Sequence, residues 1–179
     1  GVGSALLDAV WGDASRRRTM TDAIQPISNA LYGRRGLIPS TPVLTFTGRP
    51  NAASPLVEAP ADLATIDAAA YGFDRAVDHA EWDAHARRST WGDAYAYVFP
   101  GGSIGPVAGL DGDAAARALK AELALADGEV RVRIPGTSRA LVAAALDAGL
   151  ELGPTPGLLL LSDGVAAPTA LAVSGYPLF

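Results

Sequence analysis

Cysteine is absent from this sequence. That excludes a disulfide framework and a thiol nucleophile, and it fits a reducing compartment. Histidine is scarce. His79 and His85 stand six residues apart, so they do not share a helix face as neighbours at i, i+4 would, and with no cysteine nearby no metal is expected. Basic charge is not in excess. The net charge is −5, whereas a nucleic-acid binder presents a basic face to the phosphates. The one basic run, Arg16–Arg18, is expected to complement the dipole at a helix C-terminus. Long apolar runs are missing too. Gly157–Leu161 falls far short of the ~20 residues of a membrane span, and no signal peptide is visible. These absences point to a cytoplasmic protein with neither nucleic acid nor membrane as partner.

What is present suffices for a packed core: 49% of the 179 residues are hydrophobic and 18% are charged. The most informative feature is a repeat. Gln25–Leu37 (QPISNALYGRRGL) returns, much altered, as Ser138–Leu150 (SRALVAAALDAGL). Each copy is preceded by a candidate strand, Thr19–Ile24 and Glu129–Ile134. Each is followed by the skeleton S-T-P-V-L or P-T-P-G-L, at Ser40–Leu44 and Pro154–Leu158. Strand, helix, glycine stop, Thr-Pro, strand thus occurs twice, and such self-similarity outranks local reading. The second copy has about fifty further residues ahead of it and the first almost none. The expectation is one complete unit plus the back half of another, with the chain beginning inside a domain: residues 1–50, a linker at 51–55 within the aperiodic Gly48–Pro55 (GRPNAASP), and residues 56–179.

Periodicity gives a helix over Ser4–Ser15, capped by Ser4, with Leu6, Leu7, Val10, Trp11 and Ala14 on its apolar side. Pro26 opens a second helix that buries Ile27, Ala30 and Leu31 and stops at Gly36. Pro42–Thr47 reads as a strand. In the second unit, helices over Ala61–Tyr71 and Arg75–Arg87 precede a strand at Asp93–Phe99, a turn at Gly101–Gly102 and a strand at Ser103–Ala108. A helix capped by Asp111 or Asp113, the strand Glu129–Ile134 and a helix capped by Thr137 follow. Strands at Leu158–Leu161 and Thr169–Ser174 close the chain. The order implies an α/β (α+β) fold, a mixed sheet with helices on its faces.

Chemistry-bearing residues are few. Gly1-Val2-Gly3-Ser4 leads directly into a helix, where unpaired N–H groups and the dipole favour a phosphate; the same residues also read as a plain turn. Tyr32 lies one position off the apolar stripe. A phenol is protonated at neutral pH and can donate a proton to a departing thiolate, or it can simply pack at the domain edge. Gly101–Gly105 precedes a strand and reads as a hairpin. No paired carboxylates stand out.

Taken together, the glycine loop and the tyrosine resemble the GNAT N-acetyltransferase family. In that family a loop Gln/Arg-x-x-Gly-x-Gly/Ala ends the fourth strand, opens a helix and cradles the pyrophosphate of acetyl-CoA. Gly1-Val2-Gly3 matches its end. The family's Asn-x-x-Ala/Ser-x-x-x-Tyr-x-x-x-Gly-Phe is matched in spacing by Gln25, Ser28, Tyr32, Gly36 and Leu37, with Gln for Asn and Leu for Phe. The resemblance covers residues 1–48. It implies a mostly antiparallel GNAT-like sheet and acetyl-CoA as co-substrate, without a metal. It implies Tyr32 as general acid, with Gly1, Val2, Gly3, Ser4, Gln25 and Ser28 on the cofactor. The acceptor implied is a small-molecule or peptide amine; a homodimer is left open. The family's cofactor lies in a wedge between the fourth and fifth strands.

The second unit resembles a degenerate GNAT-like domain of the kind found after a GNAT domain in some bacterial tandem proteins. Acidic Asp111 and Asp113 stand where phosphates would lie, and Ala145 stands at the tyrosine position. Residues 56–179 are expected to own a whole sheet and to fold alone. The 179 residues are expected to be an inactive fragment that binds CoA weakly or not at all. The alternative is a non-catalytic binding or scaffolding module.

Overall fold

The repeat's two glycine stops are real. In this computed structural model, which describes residues 2–51 and 56–174, Gly36 (φ +80°) and Gly149 (φ +77°) take the left-handed conformation that ends a helix and that a side chain would disfavour. Each follows a helix, α2 (Pro26–Gly33) in the first copy and α6 (Arg139–Asp147) in the second. Each helix follows a strand, β1 (Arg18–Asp22) or β6 (Val130–Pro135). Each copy then continues into another, β2 (Leu37–Gly48) or β8 (Gly157–Ser162).

The sheet joins the copies in a way the repeat did not announce. β8 lies between β1 and β2, antiparallel to both, and β2 lies between β8 and β6. Each copy's post-helix strand therefore pairs with the other copy's first strand, and the β2–β8 ladder lies at the centre of the exchange. The expectation that residues 56–179 own a complete sheet is corrected: β8 finds its ladder partners only in the first fifty residues. The sheet continues through β5 (Ser103–Gly109), β4 (Ala94–Phe99) and β3 (Arg87–Thr90). All neighbouring pairs are antiparallel except β5 with β6. A short β7 (Glu151–Leu152) pairs with β2, and β9 (Leu171–Ala172) pairs with β5.

β4 shows how the two faces are filled. Its alternation puts Ala94 and Ala96 on one side and Tyr95 and Tyr97 on the other. The small side lets α5 (Gly112–Leu125) approach, and α5 itself presents Ala114, Ala115, Ala118 and Leu119. Its start is fixed by Asp111, whose carboxylate accepts from the Ala114 N–H at 2.8 Å. The large side packs Ile66 of α3 (Leu63–Ala70) and Trp82 of α4 (Ala76–His85).

Several local expectations fail for physical reasons. The first helix, α1 (Val2–Trp11), begins before Ser4, which lies inside it and not at its cap. The stripes assigned to α1 and α2 are not buried: Val10 is 78% and Ile27 82% exposed, and neither helix contains a buried residue. β2 starts at Leu37 despite Pro39 and Pro42. Over that first half it pairs only with β8, and a bulge between Pro39 and Thr41 absorbs the irregularity. β3 was not expected: the helix predicted to run to Arg87 stops at His85, and Arg87 opens this strand. Residues 52–55, most of the expected linker, lie outside the described residues.

Candidate functional site

Around the first unit, the structure brings Tyr32 to α1. Its ring lies 6.1 Å from that of Trp11 at an interplanar angle of 43°, half-buried. Arg35 ties the same two helices together. Its Nε pairs with Asp8 Oδ1 at 3.0 Å and its Nη2 donates to the Ser4 carbonyl at 3.1 Å. Val2, Gly3 and Ser4 form the opening turn of α1, where the first N–H groups of a helix lack partners within it. Gly1 lies outside the described residues. Gln25 precedes α2, exposed and without a side-chain capping bond, and Ser28 is half-buried on α2. Among the described residues no hydrogen bond joins Gln25 or Ser28 to Val2, Gly3 or Ser4. Asn29 was not singled out by sequence; its Nδ2 donates to the Ala23 carbonyl at 3.2 Å, and its buried Oδ1 has no partner among the described residues.

The arginine triplet is not the helix-end device expected. Arg17 reaches back only to the turn that follows α1, with Nε donating to the Ala14 carbonyl at 2.6 Å. Arg18 opens β1 and reaches across to the Tyr71 carbonyl at 2.5 Å. Arg16 is exposed and lines two adjoining cavities of about 270 and 320 Å³.

In the second unit, β5 and β6 run parallel through only two residue pairs, Ser103 with Arg131 and Ile104 with Val132. They then diverge. Backbone groups left facing each other across such a gap need partners, and the chain itself supplies them. β9 pairs with β5, Val173 N donates to the Arg133 carbonyl at 2.9 Å, and Gly109 N donates to the Ala170 carbonyl at 3.1 Å. Gly105 makes the approach feasible, because a Cβ there would collide with the Val173 carbonyl. Ala145, at the tyrosine position of the repeat, is a fully buried core residue. Gly101–Gly105 does carry a Gly-x-Ser-x-Gly spacing. Ser103, however, opens a strand after a turn and does not stand at the strand-to-helix corner that exposes a nucleophile.

Two buried carboxylates escaped sequence reading. Asp67 on α3 is fully buried. It accepts from Tyr95 Oη at 2.7 Å and from Arg75 N at 3.1 Å, and it lies 2.9 Å from His79 Nε2. His79 Nδ1 is in turn 2.9 Å from Tyr97 Oη, which also meets Asp83 and Arg88. Burial pushes the Tyr95 and Tyr71 hydroxyls above the ordinary phenol range, so Tyr95 remains a donor to Asp67. Glu122 on α5 is 1% exposed and is bound by Arg87 at the wall of a cavity of about 440 Å³. Among the described residues, no group of three or more His, Cys, Asp or Glu could hold a metal ion, and no helix is long and apolar enough to cross a membrane.

No family model matches the chain, and no curated protein matches it. The fold does have a counterpart in the crystal structure of a "Putative Acetyltransferase" from Pyrococcus horikoshii. The TM-score is 0.77 and the sequences are 16% identical, with 99% of this chain and 65% of that one covered. The chain thus spans 65% of that protein's length. At this identity the likeness is one of fold: the chain has a mixed, mostly antiparallel α/β sheet flanked by helices, arranged as in that protein.

Proposed function

We propose that the chain belongs to an N-acetyltransferase of GNAT type, which moves an acetyl group from acetyl-CoA to a primary amine by direct attack. The observation that carries this reading is the fold likeness to an acetyltransferase across nearly the whole chain, joined to Tyr32 at the family's spacing. The amine nitrogen attacks the thioester carbonyl, the C–S bond breaks, and the CoA thiolate takes a proton from the Tyr32 hydroxyl. The proton lost by the amine goes to a base that no residue of this chain is assigned. The N-terminal turn of α1 is the candidate holder of the pyrophosphate, because its unpaired N–H groups and dipole favour an anion. We assign the complete reaction to a polypeptide of the matched protein's length and expect the 179 residues alone to be inactive.

In that polypeptide Tyr32→Phe removes the proton donor and keeps the ring that packs against Trp11. Its kcat is expected to fall about 100-fold with KM little changed. An unchanged kcat assigns the ring a packing role only.

A specific observation favours a second reading for residues 56–174. Their own strand closes the gap between β5 and β6, and Ala145 offers no proton. That unit is read as a scaffold that completes the sheet and takes no cofactor.

A further inference from the structure

The two cavities at the arginine triplet share Arg16, Arg18 and Gly72. Tyr71 lines one; Trp11, Arg17 and Phe73 line the other. Among the described residues that line them there is no carboxylate, although the chain as a whole is acidic. Two guanidinium groups are held in place by aromatic rings: Arg17 lies 5.6 Å from the centroid of Trp11 and Arg18 lies 5.3 Å from that of Phe73. Arg18 feels the crowding. Burial and then the nearby charges of Arg16 and Arg75 pull its pKa below the usual arginine value, as expected where cations gather.

We propose that this double cavity is a binding site for a small organic anion, a carboxylate or phosphate monoester whose apolar body packs on Trp11 and Phe73. Guanidinium forks suit both oxyanions, and the combined space suits a ligand of modest size. The site is distinct from the pyrophosphate position at the start of α1. It lies beyond the other end of that ten-residue helix, about 15 Å away along its axis. Trp11 contacts Tyr32 as well as lining the cavity. Under the acyl-transfer reading, the ligand is therefore the acceptor amine, which then carries an anionic group. That identification rests on the proposed reaction; the anion site itself does not.

The test is calorimetric titration of the 179-residue protein, without acetyl-CoA, using phenyl phosphate, benzoate and inorganic phosphate at fixed ionic strength set with chloride. Saturable binding of phenyl phosphate or benzoate is expected, tighter than that of inorganic phosphate, and the tighter of the two identifies the oxyanion. Arg16→Gln with Arg17→Gln, at side chains that are exposed and half-buried, is expected to weaken it about tenfold or more. Circular dichroism verifies that the variant is folded. If it is not, Arg16→Gln alone supplies the comparison, with a loss of several-fold expected. The absence of saturation by any probe up to ~10 mM in the wild type, a concentration at which even millimolar binders saturate, overturns the proposal. Affinity unchanged in the folded variant does the same.

Discussion

Produced without the first fifty residues, residues 56–179 are expected not to fold. In the intact sheet β8 is paired on both sides, with β1 and with β2, and β6 is paired with β2 on the side away from β5. Removing β1 and β2 leaves β8 with no ladder at all and uncovers Leu159 and Leu161, which pack with Met20 and Val43. It also removes Phe46 from the opposite face of the sheet. The lost burial of these five side chains costs about 1.5–3 kcal/mol each, so the sum reaches the whole ~5–15 kcal/mol by which a domain is stable. Circular dichroism and amide exchange check this. Residues 56–179 should give an exchange-unprotected or aggregated product, whereas a chain cut between residues 51 and 56 should stay associated and folded. A cooperative melt of 56–179 alone would show that the exchanged strands are dispensable.

Asp67→Ala is expected to destabilise the protein by about 3–5 kcal/mol, because it strands buried polar partners and opens space in the core. Tyr95 Oη, the Arg75 N–H and one ring nitrogen of His79 all lose their acceptor together. Tyr95 has no route to water, being fully buried. For a chain of this size such a loss lowers the melting temperature by about 10 °C. Asp67→Asn keeps the volume and one acceptor oxygen, so it should fall between the two. Thermal or urea melts decide the matter; a loss below about 1 kcal/mol, the net worth of a single ordinary hydrogen bond, would mean that water reaches the network after all.

The two copies of strand–helix–strand were legible because each ends in a glycine that must take a positive φ and each helix has its own period. The exchange between them was not. Pro42–Thr47 and Leu158–Leu161 are apolar strands that would pair equally well with β1 or β6, and partner choice is a property of the assembled sheet. The last strand was read near Thr169–Ser174, but nothing local says that it lies between β5 and β6. The stripe Leu6–Val10 on α1 was read as buried because period alone implies a covering layer, and among the described residues none covers it. The Asp67 network was invisible for another reason. Its members lie on or beside α3, α4 and β4, 8 to 30 residues from Asp67, and each looks ordinary alone. Tyr32 was singled out by spacing alone. Its contact with Trp11, and the aromatic rings that hold Arg17 and Arg18, emerged only with the fold.

We propose that acetyl-CoA is bound by the unit carrying Tyr32 and not by the unit whose cleft is filled by its own strand. Calorimetric titration of CoA into a polypeptide of the matched protein's length counts the sites directly. One CoA per chain is expected, with Tyr32→Phe binding as tightly as the wild type. No binding at millimolar CoA, or two CoA molecules per chain, would contradict it.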